Sequence, residues 1–228
     1  MDPAPDRGGP ASEEADRECA TSPLPPTGED EDYRPGGRSM VELLAEEHDQ
    51  IVALCGELTD DSAPERRSQV AEVLTATVAR HLSGEEQYLY PTVRSALPDG
   101  GPLADREIAA DTHLLRTLRE LAHVTPTEPR FAQLADEVTG QLRRHASTAS
   151  TEIFPALRAA ASSADLIRLG NRVEIAEEAA PTRPHPDAPT APPWNRVVEP
   201  ALGVVDKVRD AVSGRPTYVD DLTPPAAT

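Results

Sequence analysis

The chain has 228 residues, 40 of them acidic and 22 basic, and a formal net charge of −18. So acidic a protein would have to gather its arginines on one face to hold a phosphate backbone, and we therefore expect no nucleic acid partner. It has no apolar run near the roughly 20 residues that cross a membrane and no signal peptide pattern, so we expect a soluble, cytoplasmic protein without a membrane partner. Its two cysteines, Cys19 and Cys55, do not make a disulfide framework.

Composition divides the chain into five segments. Proline, glycine and acidic residues dominate 1–38, which we predict to be a disordered arm. Residues 39–160 carry apolar residues at three- and four-residue intervals, and an additional helix follows over 161–178. Proline returns in 179–193, predicted as an extended linker, before an amphipathic helix and tail over 194–228. The sequence thus predicts one helical domain between less regular ends.

Four long helices account for the central segment. The first begins after Ser39, the second at Pro64, the third after Gly101 and the fourth near Pro129. Because short loops join them, we predict an all-α, up-down four-helix bundle. The C-terminal helix carries a valine-rich stripe, and we expect it to dock on the bundle rather than to bind a separate, unknown protein partner.

One histidine lies on the predicted apolar face of each of the four helices, at His48, His81, His113 and His145. Four imidazoles that meet inside one bundle need a shared partner for their polar atoms, and a metal ion is the simplest one. The two members of each pair are 33 and 32 residues apart, and each second histidine is followed ten residues later by the proline of a Tyr-Pro or Phe-Pro pair. This repeat predicts two related helical hairpins.

Glu85 follows His81 by four residues. The two side chains therefore lie on the same helix face, about 6 Å apart along the axis. A histidine and a carboxylate placed in this way can share one metal site.

The segments AEEHDQI, HLSGEEQYLYP, DTHLLRTLREL and HASTASTEIFP resemble the hemerythrin-like (HHE) cation-binding domains, over about residues 39–160. The resemblance implies a four-helix bundle with a non-heme di-iron centre that binds or reacts with dioxygen, peroxide or nitric oxide, or that senses iron. By position, it implies the metal ligands His48, His81, Glu85, His113 and His145.

The sequence departs from the family pattern at Ala149, where the family has a second bridging glutamate four residues after His145. Glu152 is a poor substitute, since it lies seven residues after His145 and about 10 Å along the axis. The site then has less negative charge to offset the positive charge of the metal. Three states remain open: a weaker di-iron site, a single-metal site, and a degenerate domain that binds no metal.

The function that we expect is binding or sensing of dioxygen, a related small oxidant or iron at a non-heme iron site, rather than enzymatic turnover. One alternative is a metal-free bundle that acts as a structural or interaction protein through its acidic arms and C-terminal helix. A second alternative is an enzyme that breaks down peroxide or nitric oxide.

Several side chains beside the candidate ligands are left outside the predicted site. Glu46, Glu47 and Glu86 adjoin ligands but point about 100° away on the helix, so we expect them to face solvent or to support a ligand. Tyr88 and Tyr90 are expected to close the core, with their hydroxyls reaching out of it.

Overall fold

The computed structural model describes residues 35–60, 63–188 and 195–222, and all regular secondary structure in these residues is helical. The predicted all-α class is confirmed. Residues 1–34 of the predicted arm, 189–193 of the predicted linker, and 194 and 223–228 of the predicted C-terminal segment lie outside the described residues. Within the described part of the chain, no helix is both long and apolar enough to span a lipid bilayer.

Helix α1, Met40–Thr59, begins at a capping box. The hydroxyl of Ser39 accepts a hydrogen bond from the backbone N–H of Glu42, and the Glu42 carboxylate accepts one from the backbone N–H of Ser39. Both bonds satisfy N–H groups that a helix start leaves without partners. The predicted beginning of the first helix is therefore confirmed.

Two long helical rods each contain one widened turn. The first comprises α2 (Pro64–Gly84), a π-helical turn (Glu85–Leu89) and α3 (Tyr90–Ala96). The second comprises α5 (Pro129–Thr148), a π-helical turn (Ala149–Ile153) and α6 (Phe154–Ala160). Each π turn directly precedes a Tyr-Pro or Phe-Pro pair, whose proline lacks an N–H and would clash with the carbonyl of an ordinary preceding turn. The repeat predicted from the sequence thus appears as two matching distortions.

The bundle is completed by α4 (Gly100–Leu121) and covered by α7 (Ser163–Ala179), which packs on α1 and α2. Helix α8 (Asn195–Ser213) packs on α7 and on the first π turn, and a short 3₁₀ turn follows at Val219–Asp221. Close approach is possible because glycines lie at the crossings. A Cβ on Gly203 of α8 would overlap the carbonyl oxygen of Ala179 at the end of α7.

The apolar core lies in two clusters, one on each side of a polar layer. One cluster includes Ile51, Leu82 and Leu142, and the other includes Leu44 and Leu89. The positions between them on the same helices are occupied by the candidate metal ligands. The fold therefore places the predicted site at mid-height in the bundle, with apolar side chains above and below it.

Helix α8 packs on the bundle through its polar side rather than through its valine-rich stripe. Its buried residues include Glu199, Asp206 and Asp210. Among its described side chains, the large apolar residues that are exposed are Val204, Val205, Val208 and Val212. The reason lies in the preceding proline-rich segment, where Arg183 donates hydrogen bonds to Asp206 from its backbone and to Asp210 from its guanidinium. The hydrogen bonds and ion pairs made with this segment stabilise the helix orientation more than burial of the small valine side chains would.

Candidate metal centre

Four side chains meet in the polar layer at the middle of the bundle. They are His48 from α1, His81 from α2, Glu85 at the start of the first π turn, and His145 from α5. The four residues are 5%, 2%, 0% and 8% exposed, respectively. One ligand atom from each can be chosen so that all four lie within 4.8 Å of one another. The structure thus brings together four of the five predicted ligands.

The Nε2 atoms of the three histidines point toward the Glu85 carboxylate. Oε1 of Glu85 lies 3.4 Å from Nε2 of His81, and Oε2 lies 3.2 Å from Nε2 of His145. Nε2 of His48 lies 2.9 Å from Nε2 of His81 and 3.7 Å from Oε1 of Glu85. Donors bound to one transition-metal ion at about 2.1 Å lie about 3 to 3.4 Å from each other. These separations therefore suit a shared ion.

Two carboxylates contact the opposite sides of these imidazole rings. Oε2 of Glu47 lies 2.8 Å from Nδ1 of His81, and Oδ1 of Asp111 lies 3.2 Å from Nδ1 of His145. An N–H at Nδ1 that faces a carboxylate leaves the lone pair on Nε2, the nitrogen that points inward. Such carboxylate support of a histidine is the arrangement that orients ligands in protein metal sites.

Tyr90 connects the carboxylates of two helices. Its hydroxyl lies 3.0 Å from Oε2 of Glu85 and also contacts Oδ2 of Asp111. A hydroxyl has only one proton to donate, so it can serve one ionised carboxylate at a time. Burial, with Asp111 and Glu85 close by, raises the pKa of Tyr90 well above its ordinary value, which keeps this proton on the phenol.

The charges at the site are strongly interdependent. Burial, followed by the proximity of His81, lowers the pKa of His48 to about 2. Burial also opposes protonation of His81, but Glu85 and Glu47 outweigh it and raise the pKa of His81 to about 10. In the same way, burial disfavours ionisation of Glu85, yet His145 and His81 hold the pKa of that carboxyl well below its ordinary value. Glu85 therefore favours positive charge beside it, whether protons or a metal cation carry that charge.

The structure does not bring His113 to the other four predicted ligands. The His113 side chain is 63% exposed, and its Nε2 lies 3.7 Å from Glu137. The buried stripe of α4 instead runs through Asp111 and Leu114, and Ala110, which the sequence pattern placed on that face, is exposed. Asp111 was missed, although it lies three residues before Leu114 and seven before Leu118, at the spacing of a buried stripe.

The structure also shows the surroundings of Ala149, which stands where the family has its second glutamate. Ala149 begins the second π turn as Glu85 begins the first, and it is 2% exposed within the apolar cluster. Glu152 does not replace it, since its carboxylate pairs at 3.1 Å with Arg106 and its side chain is 54% exposed.

The residues present fit a divalent cation. Oε1 of Glu85 is buried and has no hydrogen-bond partner, while its neighbours are imidazole nitrogens. A buried oxygen of this kind needs a cation or a proton beside it. Three imidazoles with one carboxylate form a donor set that suits iron, zinc and similar ions.

Comparison with known families agrees with this geometry. Residues 39–157, slightly more than half of the chain, match the sequence model of the Hemerythrin HHE cation binding domain. The chain belongs to the hemerythrin family. The family match ends before α7, so the C-terminal third of this hemerythrin-like chain lies outside it.

Two curated relatives show similarity over parts of their length. An uncharacterised hemerythrin-like protein of Schizosaccharomyces pombe is 25% identical over 140 residues, covering 61% of this chain and 69% of the relative. A Nostoc protein named DNA nickase is 27% identical over 126 residues, covering 53% of this chain but only 34% of the nickase. No solved structure shows significant similarity.

Proposed function

We propose that the chain binds a single iron ion through His48, His81, Glu85 and His145, and that this centre binds a small oxidant such as dioxygen, peroxide or nitric oxide. The observation that carries the proposal is the convergence of four buried donor atoms within 4.8 Å. Membership in the hemerythrin family supports iron as the metal.

One ion is favoured over two because the second half of a paired site lacks donors. Ala149 occupies the place of a second bridging carboxylate, and His113 lies at the surface. The ring of Phe154 stacks on His48 with 5.7 Å between the centroids, which fills space on that side with carbon. Among the described residues, only the first of the two repeats therefore provides a complete histidine-glutamate pair.

Burial of the donors restricts the class of ligand. Since they are at most 8% exposed, a large substrate cannot reach them without opening the bundle. An octahedral ion held by these four donors would keep about two positions for other ligands, enough for a diatomic molecule or peroxide. A bound iron ion would supply electrons to such a ligand at an open position. We therefore propose binding or sensing rather than turnover of a larger substrate.

The neighbouring residues have supporting roles in this proposal. Glu47 holds the ring of His81 by a hydrogen bond at Nδ1, and Asp111 lies 3.2 Å from Nδ1 of His145, so that in both rings Nε2 is directed inward. Tyr90 keeps one proton at its hydroxyl, beside Oε2 of Glu85. The apolar clusters above and below exclude water, which strengthens the electrostatic contacts inside.

The test is the metal content of protein purified under reducing conditions and reconstituted anaerobically with Fe(II), followed by its absorption spectrum on exposure to air. We expect one iron per chain and a spectral change with oxidant. Glu85→Gln should lower the iron content, whereas His113→Ala should retain it and serves as the matched control. Two irons per chain would establish a paired site, and none would leave the bundle as a scaffold.

DNA cleavage is not part of this proposal. The similarity to the Nostoc protein covers 34% of that protein, and the present chain has a net charge of −18. Such a charge opposes the approach of a phosphate backbone.

A further inference from the structure

A second cluster of ligand-type atoms lies on the outer side of His81. Glu47 of α1 and Glu177 of α7 flank the ring, and ligand atoms of the three residues lie within 4.8 Å of one another. Nδ1 of His81 is 2.8 Å from Oε2 of Glu47. We infer that Glu47, His81 and Glu177 form a second divalent-cation site, which shares His81 with the central site and lies on the outer side of its ring.

One feature of Glu177 is not explained by a role in orienting the ring of His81. Its Oε1 atom is buried and has no hydrogen-bond partner. Its carboxyl group lies beside that of Glu47, with ligand atoms of the two residues within 4.8 Å of each other. Two carboxylates held together in a partly buried place repel each other unless a proton or a metal cation lies between them. Once Nδ1 of His81 has lost its proton, it adds a third donor for that cation.

The three residues line a groove through which an ion can arrive. The groove has a volume of about 530 Å³, and its lining includes Glu47, Glu57, His81, Glu177 and Asp220. The groove is lined by four acidic residues and one arginine, Arg80, so the excess of negative charge attracts cations from solution.

One wall of the groove is formed by the C-terminal segment. Arg80 donates a hydrogen bond of 2.7 Å to the carbonyl oxygen of Thr217 and stacks over the ring of Tyr218, 4.4 Å from its centroid. These contacts engage the guanidinium of Arg80 with the C-terminal segment. They also give the groove a fixed wall.

The shared imidazole relates the two sites. A neutral imidazole has one lone pair, so His81 can bind an ion through Nδ1 or through Nε2, but not through both at once. An ion in the groove is therefore held mainly by Glu47 and Glu177 when the centre is full. The groove site should be the weaker of the two, and it lies where an ion on its way to the centre would first be held.

The inference shares His81 with the proposed function, but Glu47 and Glu177 lie outside the central donor set, and Glu177 lies outside the residues that match the family, so the two sites can be tested separately. The ligand class is a divalent cation that accepts carboxylate oxygen with one nitrogen, such as Mn²⁺ or Fe²⁺.

The experiment titrates the full chain with Mn²⁺ and counts bound ions by electron paramagnetic resonance. In a Glu85→Gln background, which weakens the centre, we expect one Mn²⁺ site to remain. Adding Glu177→Gln should raise its dissociation constant by at least about tenfold, as loss of a ligand or its partner commonly does. The matched control is Glu178→Gln, since the Glu178 side chain is 76% exposed and pairs with Lys207; it should leave the dissociation constant unchanged.

A second measurement uses the chain with its centre intact. Glu177→Gln should slow the uptake of Co²⁺ into the centre several-fold while the final metal content stays the same. Unchanged Mn²⁺ binding together with unchanged uptake in the Glu177 variants would overturn the inference and make Glu177 a protonated packing residue. If the centre binds no ion but the groove does, the proposed function fails and the groove site stands.

Discussion

Glu85 and Ala149 occupy equivalent positions in the two halves of the bundle, each as the first residue of a π turn and four residues after a histidine. The backbone N–H of Tyr90 bonds to the carbonyl of Glu85, and that of Phe154 bonds to the carbonyl of Ala149. The backbone of the two halves is thus pseudo-symmetric, whereas the carboxylate that can bind a metal is present in the first half only.

Restoring the second carboxylate tests this asymmetry. Ala149→Glu places an acid in an apolar cluster, so without metal we expect a loss of about 3 kcal/mol in the free energy of unfolding. Added Fe(II) should recover part of this loss and raise the iron content above one per chain. Thermal unfolding with and without metal measures both effects. Ser150→Glu, at an exposed neighbouring position, is the control and should change little.

Metal should stabilise the fold by mass action. At a free metal concentration of about 100 times the dissociation constant, the expected gain is about 2.7 kcal/mol. His81→Leu should abolish this gain, whereas His113→Leu, on the surface, should keep it. Denaturation with and without anaerobic Fe(II) measures the difference. An equal metal response in both variants would contradict the ligand assignment.

Metal affinity should increase with pH. The pKa of His81 is raised from 6.5 to about 10, so its proton stabilises the folded protein fully below about pH 6.5 and this contribution disappears as pH passes 10. A metal ion at Nε2 competes with protonation of the ring. Below pH 10 the apparent affinity should therefore rise by up to about tenfold per pH unit for each proton displaced. Calorimetry in buffers of different ionisation enthalpy measures the released protons, and a flat profile between about pH 6 and pH 9 would contradict this assignment.

Tyr90→Phe should loosen the link between α4 and the first π turn. The variant loses the hydroxyl contacts with Glu85 and Asp111. Because two buried acceptors lose a donor, we expect about 1 to 3 kcal/mol of destabilisation and a weaker metal site. Chemical denaturation and a metal competition titration measure the two effects. A fall in stability with unchanged metal affinity would limit Tyr90 to a packing role.

Two buried acids that anchor α8 should have opposite pH effects. Burial raises the pKa of Glu199, so its ionisation destabilises the fold as pH rises above 4.5. Burial also opposes ionisation of Asp206, but His185 and Arg183 outweigh it and lower the pKa of this carboxyl. The ionised Asp206 therefore stabilises the fold above pH 3.8, and this contribution is lost on acidification. Glu199→Gln should therefore stabilise the protein near neutral pH, and Asp206→Asn should destabilise it. Urea denaturation at several pH values compares them, and the same sign for both variants would contradict the assigned pKa shifts.

Much of the fold follows from helical periodicity, but the rotational phase of a helix is harder to predict. Four of the five predicted ligands meet, since their helices have clear apolar stripes. In α4, both Ala110 and His113 fit an apolar stripe, and the structure exposes both while burying Asp111. Asp111 is held by contacts with Tyr90 and His145, partners that are distant in the sequence. Periodicity contains no information on such pairings.

Helical periodicity also does not predict the contacts of helices outside the four-helix bundle. The valine stripe of α8 predicted burial, but the helix turns Glu199 and Asp206 inward because a proline-rich segment supplies their partners. Glu47 was predicted only as a side chain that faces solvent or supports a ligand, and its contact with His81 fits the second of these roles. The presence of Glu177 nearby could not be inferred, since α7 lies outside the repeat that organises the four central helices.

The division of the apolar core by a charged layer affects how the protein unfolds. The two clusters share the same helices but meet only across the histidines and Glu85. An ion in that layer would tie both halves into one cooperative unit, whereas its removal would let one end of the bundle open while the other stays closed. The presence or absence of iron would then change the cooperativity of the unfolding transition, with little change in the helix content of the folded protein.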